Sequence, residues 1–253
     1  MSPSGAFRNG SIPTVLLVHG AFADGSIWAG VIPELQGAGI GVIAVANPLR
    51  TLASDAAYVA GIAAAIDGPV VLAGHSYGGA VITAAGAAAG NIAGLVYVTA
   101  YALEEGESAL DICDRFPGSQ LLAALRPGVF SDGSGDPLVE LHIDHELFPP
   151  LFAADLPRRR AAAAAAAAQR PIAATAFAEK ASAAAWKKTP SWYVIATDDM
   201  IIPLEAQQFM AQRAGAHTTE IRASHAITLI QPAAVAELIA AAATASVRAP
   251  GAV

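Results

Sequence analysis

The chain has 253 residues, 55% of them hydrophobic and 14% charged, with a formal net charge of −7. That balance excludes a disordered chain, which would be poor in apolar residues. It also argues against nucleic acid as a partner, because phosphate binding needs a basic surface.

A single cysteine, Cys113, excludes an intrachain disulfide. The first dozen residues are polar, hold Pro3 and Gly5, and lack a secretory leader pattern. Outside alanine-rich parts, no apolar stretch is long enough to span a bilayer. The expectation is a cytoplasmic protein off the membrane, one domain with an insertion, with a homodimer left open.

Short Val/Ile/Leu runs alternate with helix-like segments. "TVLLVHG" (Thr14–Gly20) reads as a first strand, followed by a helix over Ile27–Gln36. "GVIAVAN" (Gly41–Asn47) is a second strand, with a helix over Leu52–Ile66. "PVVLAG" (Pro69–Gly74) and a helix over Gly79–Ala89 follow, then "GLVYVTA" (Gly94–Ala100). These four runs are apolar nearly throughout, as strands buried on both faces are. The rhythm then breaks. Residues 103–189 offer Pro/Gly pairs and an alanine run, Ala161–Ala168, but no good strand. That length is too great for a loop, so a helical cap is expected between the two parts of a core, residues 1–102 and 190–253. Arg158-Arg159-Arg160 reads as the solvated start of the alanine helix. "SWYVIAT" (Ser191–Thr197) resumes the strands, then a helix over Leu204–Arg213, a polar edge strand "HTTEIRA" (His217–Ala223) and a helix over Ala233–Ala245. This alternation implies an α/β fold, a doubly wound and mainly parallel sheet with helices on both faces. Ligands of such sheets lie beyond the carboxyl ends of the strands.

One motif falls at such an end. Gly74-His75-Ser76-Tyr77-Gly78 matches G-x-S-x-G between a strand and a helix. A serine there takes a strained backbone shape that lifts its hydroxyl clear of the sheet, and flanking glycines let strand and helix pass closely. Against the reading as a plain turn, that context marks Ser76 as a nucleophile. A serine needs a base. His75 should point away along the turn, His19 closes the first strand as a brace, and His217 opens the last strand at its far end. His142 and His145 with Glu146 form too thin a set for a metal site. His225, in "ASHAITLIQP" just past the last strand, is the base. An acid must orient it. Asp198 and Asp199 follow another core strand at the same rim, where one of them could instead cap the next helix; Glu104 and Glu105 are second candidates. An oxyanion needs donors: the backbone N–H of Phe22, or of its neighbour Ala21, and that of Tyr77. Phe148, Phe152, Phe177 and Trp186 in the cap suggest a modest apolar pocket, with Phe152 and Trp186 named as substrate contacts; cap core is the competing role for them.

With "VHGAFADGSIW" and "GHSYGGAVIT" on the page, the chain resembles the α/β-hydrolase superfamily. More closely it resembles bacterial esterase-like members related to plant methyl-ester esterases and hydroxynitrile lyases. The resemblance runs from Val15 to about Ile239 and is weakest in the cap. It implies a triad of Ser76, His225 and Asp199, the last because the family's acid stands four places before a proline, here Pro203. The short N-terminus leaves little room for the extra leading strands of larger members, so a six-stranded sheet is expected. The lyase threonine is missing after the His-Gly corner, where Ala21 and Phe22 stand, and Lys180, Lys187 and Lys188 lie at the cap's end. The resulting expectation is a serine carboxylesterase acting on a small-molecule ester, without metal or organic cofactor. A lyase on the same triad and a non-catalytic ligand receptor are the alternatives.

Overall fold

The computed structural model describes residues 13–131, 133, 135, 137–156 and 159–248. The first twelve residues, read above for a leader, and Arg158 lie outside the described residues. The chain opens with β1 (Thr14–Val18), a short 3-10 turn (Gly25–Trp28) and α1 (Val31–Gly37). One continuous helix over 27–36 was expected. Pro33 forbids it: proline has no N–H for the carbonyl of Ala29, and its ring would strike that carbonyl. β2 (Val42–Val45), α2 (Leu52–Ala64), β3 (Val70–Ser76), α3 (Tyr77–Ala88) and β4 (Ile92–Ala100) follow. After the insertion come β8 (Ser191–Ala196), α9 (Leu204–Arg213), β9 (His217–Ile221), α10 (Ile227–Ile230) and α11 (Pro232–Arg248). Pro232 opens α11, a position that needs no intrahelical N–H.

The main sheet has six strands in the order β2-β1-β3-β4-β8-β9, and every neighbouring pair is parallel. β1, β3 and β8 are buried at every position, which is why their sequences carry no polar alternation. β9 is the polar edge, exposed along most of its length. The chain winds outward from β1 to β2 and then returns to β3 on the other side. The crevice between the carboxyl ends of β1 and β3 is therefore the topological switch point, where ligands of open α/β sheets bind.

Residues 103–189 are only partly helical. They hold α4 (Ala109–Arg115), α5 (Leu121–Ala124), α6 (Phe148–Phe152), α7 (Arg159–Ala168) and α8 (Ala174–Ala178). They also form a small antiparallel sheet of β5 (Leu125–Phe130), β6 (Leu138–Ile143) and β7 (Ile172–Ala173), in the order β5-β6-β7. The expectation of a strandless cap is corrected here. Pro127-Gly128 reads as a loop, but β5 is an edge strand, where a missing N–H is tolerated. Buried side chains of the insertion, among them Ile143, Phe148, Phe152 and Phe177, belong to the same hydrophobic cluster as the main sheet. Among the described residues, no helix is long and apolar enough to cross a membrane.

Candidate active site

Ser76 is the last residue of β3 and stands at the N-terminus of α3, with φ 55° and ψ −124°. A non-glycine residue holds that shape only where its surroundings impose it. The packing that imposes it needs glycine at two points. A Cβ on Gly74 would come within 2.5 Å of the Gly78 carbonyl oxygen, and one on Gly78 would overlap the carbonyl oxygen of Val18 in β1. Strand β3, helix α3 and strand β1 thus meet with no side chain between them, and Ser76 is pushed onto the carboxyl rim.

Beyond the end of β9, His225 is almost fully buried. Its Nδ1 lies 2.7 Å from Oδ2 of Asp199, which leaves the strand end of β8. The other carboxyl oxygen, Oδ1, accepts the N–H groups of Ile201 (2.7 Å) and Ile202 (3.1 Å). Oδ2 also receives Thr99 Oγ1 and, at 3.4 Å, Gln207 Nε2. A carboxylate with this many donors is held in a fixed orientation. Asp198 points elsewhere. It is exposed and pairs with Arg222 at 3.1 Å. Glu104 pairs with Lys187, and that contact holds its carboxyl below the usual range.

His75 departs from the sequence expectation. Its ring turns toward His225, with Nε2 2.9 Å from the main-chain carbonyl oxygen of that residue and the two ring centroids 4.7 Å apart. As Nε2 must donate to that carbonyl, Nδ1 carries no proton. Burial, then the neighbouring His225, pushes the His75 imidazole well below its ordinary value, so it stays neutral. His19 is a brace: Nε2 accepts Asn47 N–H at 3.1 Å, and Nδ1 donates to the Gly20 carbonyl at 2.9 Å. His142 and His145 have ring centroids 6.2 Å apart, and among the described residues no group of three potential ligands gathers around any point.

The donor expected from Phe22 is corrected. Phe22 sits in a tight turn at φ 61°, and that conformation aims its N–H at the insertion, where it donates to the carbonyl of Arg170 at 3.0 Å. The neighbouring N–H of Ala21 and that of Tyr77, the first residue of α3, meet no acceptor among the described residues. They remain available as a pair flanking the crevice between β1 and β3. The Tyr77 side chain is anchored away from the site, its hydroxyl donating to Asp55 Oδ2 at 3.0 Å. Burial raises both the Asp55 carboxyl and the Tyr77 phenol.

The two aromatic residues singled out in the insertion separate. Phe152 packs its ring edge-on against His225 at 4.9 Å and stacks on Phe148 at 4.7 Å. It lines a cavity of about 50 Å³ with Phe22, Ile27, Phe148, Ala165 and Leu229. Trp186 does not line that cavity. Its indole N–H donates to the Leu103 carbonyl at 2.8 Å, and its ring faces Arg213, so it fastens the end of the insertion to the core. Lys180 is likewise engaged, with Gly106 and Asp111.

The insertion also holds the loop that carries His225. Ala226 N–H donates to the Phe152 carbonyl at 2.9 Å, and Ser224 N–H donates to Asp155 at 2.9 Å. The loop carrying His225 is therefore fixed from β3 through His75, from β8 through Asp199, and from the insertion on either side of the histidine. Thr99 and His75 escaped the sequence reading as members of this site. The only signal for them was proximity to a strand end.

Solved structures of the same shape are numerous. A pyrethroid hydrolase from Sphingobium faniae superposes with a TM-score of 0.75 at 24% identity, over 92% of this chain and 98% of that one. Polyneuridine aldehyde esterase gives 0.76 at 23% identity, over 89% and 97%. An extracellular alpha/beta-hydrolase from a Paenibacillus species gives 0.71 at 23%, over 91% and 99%. No curated protein sequence matches the chain. The family model described as "Alpha/beta hydrolase family" matches residues 15–238, a span that holds the strained serine, the buried histidine and the carboxylate bound to it: the chain belongs to the alpha/beta hydrolase family.

Proposed function

We propose that the chain is a serine carboxylesterase acting on small to medium, mainly apolar esters. The observation that carries this reading is the Asp199–His225 contact of 2.7 Å at the strand rim that also bears Ser76 in its strained conformation. The three structural neighbours named above, two hydrolases and an esterase, agree with it.

The steps follow from the positions. Ser76 Oγ attacks the ester carbonyl carbon while His225 Nε2 takes its proton. Asp199 keeps the other ring proton on Nδ1 and stabilises the imidazolium that forms. The negative charge on the carbonyl oxygen falls to the N–H groups of Ala21 and Tyr77, and the N-terminal end of α3 adds its positive dipole. The tetrahedral adduct collapses, the alcohol leaves with the proton from His225, and an acyl-Ser76 ester remains. Water, deprotonated by His225, then releases the acid. These steps call for no metal or organic cofactor. The apolar lining around Phe22, Phe148, Phe152 and Leu229 favours a short hydrocarbon group on one side of the ester.

The test is Ser76→Ala, assayed on p-nitrophenyl esters of increasing chain length. The expected loss in kcat is about a million-fold with folding intact. Phenylmethylsulfonyl fluoride should label Ser76 and leave Ser26 and Ser224 untouched. Activity retained in Ser76→Ala overturns the reading.

A further inference from the structure

From Val71 to His75 strands β3 and β4 pair in step, His75 lying opposite Val98; Ser76 then lies opposite Ala100. Thr99 is the residue left between them, a bulge in β4 at the level of Ser76. Bulges bend a strand and re-aim a side chain. Thr99 also has φ 39°, a region that a β-branched residue occupies only under constraint, and it is fully buried. The constraint is visible on both sides. The Ala100 N–H donates to the Tyr193 hydroxyl at 3.2 Å, and that hydroxyl donates back to the Ala100 carbonyl. The Tyr101 N–H donates to the Ser76 carbonyl at 3.1 Å. Clamped so, the bulge delivers Thr99 Oγ1 onto Oδ2 of Asp199, the oxygen that faces His225 Nδ1.

We infer that Thr99 is a positioning residue of the proposed triad: its hydroxyl, turned inward by the bulge, pins the second oxygen of Asp199 and so fixes the ring of His225. The inference rests on the esterase reading above. The geometry says what the hydroxyl does. Oδ1 of Asp199 is tied to two backbone N–H groups, while Gln207 Nε2 reaches Oδ2 only at 3.4 Å, so without Thr99 the carboxyl would be free to rock about the Oδ1 end. Thr99 holds the other end without competing for the imidazole proton, because a hydroxyl gives up its own proton far less readily than an imidazolium does. Strain at Thr99 is then a constraint that serves function, as strained backbone at active sites commonly is. Valine would fill the same space without the hydrogen bond.

The experiment compares Thr99→Val, Thr99→Ser, Asp199→Asn and the double variant Thr99→Val/Asp199→Asn, with Ser76→Ala alongside, by steady-state kinetics on p-nitrophenyl acetate. A hydrogen bond to a charged group contributes enough that Thr99→Val should lose about 10- to 100-fold in kcat, with KM within about threefold. Thr99→Ser keeps the hydroxyl and should recover most of that loss. In the Asp199→Asn background Thr99→Val should add less than about threefold, because its route to the chemistry is already gone. Thr99→Val at wild-type kcat, a loss confined to KM, an equal loss in Thr99→Ser, or fully multiplicative losses in the double variant would each overturn the inference. Should Thr99→Val fail to fold by circular dichroism, the Thr99→Ala and Thr99→Ser pair carries the same comparison. Activity surviving in Ser76→Ala overturns the esterase reading itself; a dead Ser76→Ala beside an unimpaired Thr99→Val overturns Thr99 alone.

Discussion

Replacing Asp199 by asparagine keeps size and shape and removes one charge, and the structure says which way the new amide must face. Oδ1 accepts two backbone N–H groups, from Ile201 and Ile202. An NH2 group cannot sit opposite two fixed backbone donors, whereas on the other side the Thr99 hydroxyl can turn to accept and Gln207 Nε2 stands off at 3.4 Å, so the amide oxygen takes the first side and the NH2 turns toward His225. His225 must then present a lone pair at Nδ1 and carry its proton on Nε2, the nitrogen that is to receive the proton of Ser76. The base is present in the wrong tautomer. A loss of about ten thousand-fold in kcat is expected, about 5.5 kcal/mol of transition-state stabilisation. Asp198→Asn removes only an exposed pair with Arg222, worth about 0–1 kcal/mol, and kcat should stay within about fivefold. The assay is kcat on p-nitrophenyl acetate at pH 8, with thermal melting to show both variants folded. Asp199→Asn within tenfold of wild type, or a larger loss in Asp198→Asn, would refute the reasoning.

Phe152→Ala should widen the cavity it lines with Phe22, Phe148 and Leu229 and shift the preferred acyl chain toward longer esters, while the rate of sulfonyl fluoride labelling changes less; an unchanged preference would make Phe152 a packing residue only. Stability should fall with acid through two of the buried histidines, His75 and His19. Burial lowers both His75 and His19 below 6.5 in the folded chain, so below that pH the unfolded chain binds protons that the folded one does not, and stability is lost as pH falls, at up to about 1.4 kcal/mol per pH unit for each fully neutral histidine. The melting temperature should drop from pH 7 to pH 5, and His75→Gln should flatten that drop; a melting curve independent of pH over this range would contradict it. Gly78→Ala places a methyl group on the Val18 carbonyl and should destabilise the fold by roughly 1–3 kcal/mol or more, read as a lower urea midpoint; a wild-type midpoint would mean that β1 moves aside.

Much of this architecture is legible in the sequence, because the signals involved are local. The inner strands of the main sheet are apolar runs, and the strained corner at Ser76 is a five-residue pattern in the right setting. His225 follows from its place after the last strand. Asp199 against Asp198 is different: both leave β8 at the same rim, and only the backbone turn at Ile201–Ile202 decides which one reaches the imidazole. The Phe22 N–H depended on where Arg170 would lie, nearly 150 residues away in sequence. Trp186 looked like a pocket aromatic, but its indole N–H found the Leu103 carbonyl. Thr99 reads as an ordinary strand threonine until Tyr193, on another strand, is seen to hold the bulge that turns it inward.

The contacts between the insertion and the 224–226 loop bear on how this protein can be re-engineered. Segments over an active site are natural targets for exchange between relatives, as parts that tune selectivity while the catalytic frame stays put. Here the carbonyl of Phe152 and the carboxylate of Asp155 hold the backbone on both sides of His225, and Phe152 also walls the pocket. A graft that replaced residues 148–156 would trade selectivity and the placement of His225 together. Productive chimaeras should place their junctions outside that stretch, leaving the native α6 and its following turn in the host.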